Sequence, residues 1–455
     1  MFKQTRTGKI ITLAWPLFIG QIALIANGVM DTVMTARFSA TDLAALALGF
    51  SIYISVFIGL SGVLQALLPI VGQHFGAKRY AAIGHEVKQA LWLALFLSII
   101  GSVILYFAPA FLVFADASPE LTEKATLYLR IEATALPATL AFRVYASLNT
   151  AISRPKMVMM IQVLGLLLKI PLNALFIFGY WGMPAMGGPG CALATSVIAW
   201  LMVLVCWMSV RAAPYYQTFK LFNTGWVKPA WASQKALLVL GIPMGLSYFI
   251  EVTGFTLMAI FIARLGDTAV AGHQITANMG AVLYMLPLAL GSATGTLVAQ
   301  SIGAGQLMTA QKMSGAGIRL AAISAVVTGC AVWLLREQIV HAYTPDPVIY
   351  SAAIPLFVYI AFYQLFDGIQ VTTAFVLRAY KIAIIPTLIY AIALWGVGLG
   401  GGYLIGLDPF NIMPNALKGA SGFWFANSAS LAIVAVLLLG YLRIIQRRVA
   451  NNQAI

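Results

Sequence analysis

Read along its length, the chain alternates long apolar runs with short polar connections. Twelve such runs can be cut out, at about residues 10–34, 45–70, 89–113, 126–150, 157–178, 190–210, 236–262, 270–299, 316–335, 350–376, 382–404 and 419–441. Each offers about the 20 residues that a helix rising ~1.5 Å per residue needs to cross a hydrocarbon layer ~30 Å thick. Helices satisfy their own backbone groups in lipid, and unalternating runs of this length predict helices. The expected fold class is an all-α membrane protein with twelve transmembrane helices. The first run follows a basic MFKQTRTGK and lacks a clear small-residue cleavage site, so it reads as a span and not as a removed signal.

The pattern repeats itself. Pro16 and Pro243, 227 residues apart, open matching blocks. At the same offset Ala36-Arg37 recurs as Ala263-Arg264, Thr41 as Thr268, and VGQHFGA (Val71–Ala77) as VAQSIGA (Val298–Ala304). The offset holds six spans, an even number, so both halves enter from the same side. That predicts two six-helix lobes related by a pseudo-two-fold axis along the membrane normal. The expected division is an N-terminal lobe over 1–210, a cytoplasmic link over 211–235, and a C-terminal lobe over 236–455 ending in a short basic tail. The link is the longest polar stretch.

Composition agrees with the pattern. Of 455 residues 61% are hydrophobic and 9% charged, against about 25% charged in soluble domains. The net charge of +14 would suggest nucleic acid in a soluble chain; here its distribution explains it. Nineteen of the 27 Lys and Arg fall in connections or at span ends on the side of the termini, five on the other side, and three (Arg130, Arg143, Lys169) deeper inside spans. The bias places both termini in the cytoplasm and makes nucleic acid an unexpected partner. Acids lean outward, an arrangement that suits a cationic solute. Cys191, Cys206 and Cys330 form no CxxC, and four histidines are scattered, so neither a zinc site nor a disulfide framework is indicated. GxxxxGK[ST], GxSxG and HExxH are all missing, which argues against ATP hydrolysis and against a catalytic nucleophile or metal.

The candidate chemistry lies in the few charges inside spans. Glu251 is the one charged residue between Ala236 and Ala263, near the middle of its run. A carboxylate there costs about 3 kcal/mol on insertion scales, and an intramembrane acid is a functional-site hypothesis by default. Tyr248 lies on its face at i−3. Asp31 sits six residues before Arg37, about 9 Å below the outer edge, with Asn27 and Thr35 at i−4 and i+4. Asp367 lies 11 residues before Arg378, about 16 Å from the inner edge, with Tyr363 and Gln364 one turn earlier. Glu251 and Asp367 share the second half and are expected to share one cavity, where two carboxylates load a proton or bind Na⁺. The repeat mate of Glu251 is Leu24, not Asp31, so the halves place their acids at different depths. Lys169 needs an anion, and Asp31 is the nearest candidate. It reads either as a built-in cation competing for Asp31 or as a static or snorkelling group. Arg130 and Glu132 read as interface anchors near the outer end of the fourth span. His273, Gln274 and Asn278 form a helical face that is either a cavity wall or a satisfied helix contact. Met and aromatic residues mostly face lipid or neighbouring helices, and some suit a plastic apolar pocket.

These residues together resemble a known family. VMDTVM with ATDLAA, the Gln-xx-Gly pairs, IPLN–IFG–GGPGCALAT, FIEVT, AGHQI and YQLFDGIQV with LRAYK are similar, in order and spacing, to NorM-type multidrug and toxic compound extrusion (MATE) transporters. The likeness covers about residues 8–445. It implies twelve helices in two lobes and antiport of amphipathic, mostly cationic drugs and dyes against Na⁺ or H⁺. By the resemblance, Asp31 is the first-helix acid, and Glu251 and Asp367, accompanied by Tyr363, form the second-lobe cation site. The chain keeps Pro171-Leu172-Asn173, which puts Asn173 with Asp31, Asn27 and Lys169 at a first-lobe proton or drug site. It departs at Lys169, where the family usually has Asn, and an ammonium there repels Na⁺. Gln274, Asn278 and Tyr248 are the candidate substrate-cavity wall. The expectation is thus a non-enzymatic multidrug efflux antiporter of the bacterial inner membrane. It acts as a monomer, with no cofactor beyond the coupling ion and no ATP. A flippase for a lipid-linked precursor is the alternative, disfavoured by three buried acids against one clear lysine.

Overall fold

In the computed structural model the described residues are 5–108, 118–221, 225, 227–414 and 417–451. Among them the chain forms twelve long helices. In the first half these are α1 (Arg6–Phe38), α2 (Ala40–Gly76), α3 (Tyr80–Phe107), α4 (Pro119–Ala151), α5 (Pro155–Phe178) and α6 (Gly188–Ala212). In the second they are α7 (Trp231–Ala263), α8 (Asp267–Gly303), α9 (Leu307–Leu334), α10 (Pro347–Ala379), α11 (Ile384–Gly406) and α12 (Ala420–Ala450). Eleven are long and apolar enough to cross a membrane. The exception is α4, although its apolar stretch 126–150 predicts a span. It carries Glu120, Glu123, Lys124, Arg130, Glu132 and Arg143 within its 33 residues. Protein and not lipid surrounds much of it: α2, α3, α5 and α6 all pack against it, which is how a charged helix is tolerated at membrane depth. Its counterpart α10 is likewise the hub of the second half, contacted by α8, α9 and α12.

Prolines punctuate these helices in a readable way. A proline removes one backbone bond and pushes on the carbonyl four residues back. Pro69 acts on Gln65, and α2 is interrupted there, at Gln65 and Ala66. Pro137 frees the Ala133 carbonyl, which accepts a bond from the Ser102 hydroxyl at 2.6 Å. Pro287 frees that of Leu283, which accepts from Gln364 Nε2 at 3.2 Å. In α11 the turns over Ala391–Gly400 widen into a π-helix.

The repeat is visible residue by residue. The second helix of each half ends on an Ala cap, Ala77 or Ala304, whose N–H reaches back to Gln73 and Phe75 or to Gln300 and Ile302. A left-handed residue follows, Lys78 (φ 57°) or Gly305 (φ 72°). All of these pairs keep the 227-residue offset.

The chain divides into two compact units, one of Ile19–Gly245 and one of Met1–Phe18 with Leu246–Ile455. Both cuts fall inside long helices, two residues after Pro16 and Pro243, and not in the link 211–235. The beginning of α1 supplies Ile10, Leu13 and Ala14 to the core of the second unit. The beginning of α7 belongs to the first, where Gly241 lies so close to α2 that a Cβ would collide with the Val63 carbonyl oxygen. The link itself is fastened to α3 within the first unit. Lys88 Nζ donates to the Gly225 carbonyl (2.8 Å), Trp92 Nε1 to that of Val227 (2.9 Å), and the Ala230 amide to Gln89 Oε1 (2.9 Å).

Candidate functional site

In the second unit, α10 carries Tyr363, Gln364, Asp367, Gln370 and Arg378, all buried. Asp367 is 0% exposed. Its Oδ1 accepts a bond from Gln370 Nε2 at 3.0 Å, one turn on, and Gln370 Oε1 accepts from the Tyr390 hydroxyl of α11. Its Oδ2 has no hydrogen-bond partner. A buried oxygen in that condition costs free energy that a proton or a cation recovers.

Glu251 on α7 lies between two small cavities. One is lined by Phe255, Met258, Tyr363, Leu394, Asn427 and neighbours, the other by Tyr248, Tyr284, Phe375, Arg378 and Tyr390 among others. The space open to the centre of a water-sized sphere is about 10 Å³ in each, about enough for one water. Tyr284 of α8 hydrogen-bonds Glu251, and the charges of Asp367 and Arg378 act on it. The charge of Asp367 reaches Glu251, but Asp367 lines neither of these cavities, and its own hydrogen bond goes to Gln370. Tyr363 stands edge-on to Phe255 (5.9 Å) and to Trp424 (6.0 Å).

Arg378 corrects the sequence reading, which places it in a connection as a topology charge. It is 6% exposed, donates from Nη1 to Tyr248 Oη at 2.9 Å, and lies 5.0 Å from the Tyr248 and Phe375 ring centres. Two aromatic faces and a phenol oxygen replace the water it gives up. A signal for it existed: eleven residues are about three helical turns, so Arg378 falls on the face of Asp367, and Gln370 at i+3 adjoins it. Tyr284 and Tyr390 come from other helices and carried no such signal.

The first unit gathers Asp31, Lys169 and Asn173. Asp31 Oδ1 accepts from Asn173 Nδ2 at 2.8 Å and is 3.0 Å from Lys169 Nζ. Lys169 is 1% exposed and also donates to the Thr195 hydroxyl and, at 3.4 Å, to the Cys191 carbonyl. Lys169 and Asn173, one turn apart on α5, therefore grip the same carboxylate oxygen. Asn27 stands apart, donating to the Ala23 carbonyl of its own helix at 3.0 Å. Gln274 and Asn278 are exposed and bonded to each other at 3.2 Å; they line neither cavity at Glu251. His273 is buried against Trp424, 5.8 Å between ring centres. Arg130 is exposed and stacks 5.0 Å from the Tyr106 ring centre, as an anchor would. Glu132 does not: it is 1% exposed, because α2, α3, α5 and α6 enclose its helix. Among the described residues no group of three His, Cys, Asp or Glu is gathered to hold a metal ion.

The MatE family pattern matches the chain twice, over residues 16–175 and 243–404. The two matches begin at the two prolines that open the internal repeat. A probable multidrug resistance protein NorM of Aromatoleum aromaticum is 38% identical over 453 residues, 99% of this chain and 96% of that one. The multidrug resistance protein PmpM of Pseudomonas aeruginosa is 37% identical over 431 residues, 94% of this chain and 90% of its own. Among solved structures, the eukaryotic MATE transporter AtDTX14 superimposes with a TM-score of 0.87 at 19% identity, over 98% of each chain. An outward-facing multidrug resistance MATE family transporter gives 0.86 at 16% identity, over 99% of this chain and 98% of that one. At such identities the likeness is one of fold.

Proposed function

Because the chain belongs to the MatE family, we propose that it is a multidrug efflux antiporter, exporting amphipathic cations in exchange for an entering H⁺ or Na⁺. The observation that carries this reading is the buried Asp367, with one oxygen unpartnered, within electrostatic reach of Glu251, which borders two water-sized cavities. The names of the NorM and PmpM relatives support the cargo.

The chemistry is one of exclusion. Two carboxylates in low dielectric, with Arg378 offsetting one charge, have a deficit of about one positive charge to fill. A proton or Na⁺ fills it at close range, bound by Asp367 Oδ2 and the Glu251 carboxylate. A drug cation near the same acids fills it too, with aromatic side chains such as Phe255 and Tyr363 against its apolar body. Each ligand lowers the affinity for the other, so a cation gradient drives the drug against its own. The Lys and Arg bias supports an orientation with both termini cytoplasmic, and the bacterial NorM and PmpM relatives support the inner membrane.

The test is drug efflux from proteoliposomes with Na⁺ and pH gradients imposed separately. Wild type is expected to expel ethidium under at least one gradient. Glu251→Gln and Asp367→Asn are each expected to abolish efflux while reaching the membrane at normal levels. Normal export by both variants sinks the proposal.

A further inference from the structure

The first unit buries an acid that the exchange at Glu251 and Asp367 does not use. Glu132 on α4 has one oxygen, Oε2, without a hydrogen-bond partner. Tyr128, one turn earlier, hydrogen-bonds the carboxyl. The ionisable groups around it are Asp31 from α1, Tyr53 from α2, Lys169 from α5 and Cys191 from α6. α3 carries no ionisable side chain between Lys88 and Tyr106. On α4 itself Arg143 acts on Tyr53 and lies 5.4 Å from the Phe57 ring centre. Lys124, at the far end, is committed to Asp42 (2.7 Å) and Glu120 (2.9 Å).

The cluster therefore holds two carboxyl groups and one ammonium. Lys169 is paired with Asp31 at 3.0 Å, and Glu132 has no ion pair among the described residues. A buried carboxylate without a counter-ion costs several kcal/mol. One proton makes the cluster neutral, and the carboxyl that lacks the ammonium is where it belongs.

The second unit offers a parallel. The hub helix of each half carries a buried acid with an arginine eleven residues on: Glu132 and Arg143 in α4, Asp367 and Arg378 in α10. The acids are 235 residues apart and not 227, so the correspondence is of helix and chemistry, not of a copied position.

We propose that Glu132 is the proton-binding group of the first unit, holding a proton while Lys169 is paired with Asp31 and exchanging roles with Asp31 when the ammonium changes partner. This extends the antiporter reading and rests on it for its use in transport. The first half becomes a site for H⁺ and not for Na⁺, since the ammonium stands where a metal cation would meet Asp31. One proton is bound in either arrangement; it is released only when the cluster opens to water and the second carboxyl ionises.

Infrared spectroscopy of the full-length protein in liposomes tests the binding without requiring transport, because a protonated carboxyl has a C=O stretch that carboxylates lack. Wild type at neutral pH is expected to show a band that Glu132→Gln removes and Glu132→Asp retains, shifted. Asp31→Asn is expected to weaken the same band, because Lys169 then turns to Glu132 and ionises it; this arm stands even if Glu132→Gln fails to fold. A spectrum unchanged by Glu132→Gln, or a Glu132 band undiminished by Asp31→Asn, overturns the proposal. In proteoliposomes Glu132→Gln is expected to lower pH-driven efflux about 5-fold or more, the lower end of a coupling between two ligands, with Glu132→Asp restoring it. Loss of the antiporter reading would show instead as wild type moving no drug under either gradient, with the infrared bands still present.

Discussion

Lys169 holds the position that shapes the first unit. It is among the largest fully buried side chains, and three oxygens replace its water: Asp31 Oδ1, the Thr195 hydroxyl and the Cys191 carbonyl. Removing one member of a buried pair strands the other charge, at about 3–5 kcal/mol; here Asp31, 16% exposed, keeps some contact with water, so the lower figure applies. Lys169→Met is expected to destabilise the protein by about 3 kcal/mol, and Lys169→Met with Asp31→Asn by clearly less than the two singles added. Denaturant titration in detergent reads both, and strict additivity would mean that the pair is not coupled. The anomaly of Lys169 was plain in the sequence. Its partner was a choice among residues far apart in the chain, and only the packing of α5 against α1 made that choice. Glu132 shows the reverse failure: its charge was visible, but its burial depends on helices the local pattern does not mention.

At the scale of elements, the connection between α11 and α12 offers a pH-dependent case. Asp408 takes a positive φ of 42° and accepts from Lys418 Nζ at 2.8 Å and from the Ile412 amide at 2.8 Å. The bond from Lys418, helped by the Ile412 and Met413 amides, holds its carboxyl below the usual carboxylate range. A depressed folded value means stabilisation that is present above the ordinary carboxylate range and lost as pH falls through the folded value. Amide exchange at Ile412 and Met413, corrected for intrinsic rate, is expected to be protected at neutral pH and to lose protection in acid, with Asp408→Asn losing it already at neutral pH. Protection independent of both pH and the substitution would contradict this. The positions of α1 to α12 were legible because hydrocarbon thickness sets the length of an apolar run. Their ends were less so: α8 runs to Gly303 and α4 starts at Pro119, several residues past the apolar limits, because a helix continues into polar surroundings until a cap stops it.

For the whole molecule, the two units share the chain in an exchanged manner. Residues 1–18 belong with 246–455, and residues 228–245 belong with 19–227. A cut in the link 211–235 therefore leaves each unit incomplete on either fragment alone. With a protease site inserted in the link, the two fragments are expected to copurify after cleavage through size exclusion in mild detergent. Independent elution as two folded halves would refute the exchange. The sequence offered the link as the obvious boundary because it is polar and long, whereas the compact units are defined by what packs with what, and that crosses from one half to the other at Pro16 and Pro243.

By itself the sequence determined the number of long helices, the internal repeat, the family, and which acids lie inside spans. Those follow from local quantities: the cost of a charge in hydrocarbon, the length of an apolar run, the spacing of a motif. Tertiary structure alone decided that Asp367 leans on Gln370, that Arg378 turns inward to Tyr248, that Lys169 grips Asp31, and that Glu132 is sealed inside the first unit. Partner choice depends on which helices meet and at what depth, and burial depends on all the neighbours at once. Neither quantity is carried by any single stretch of chain.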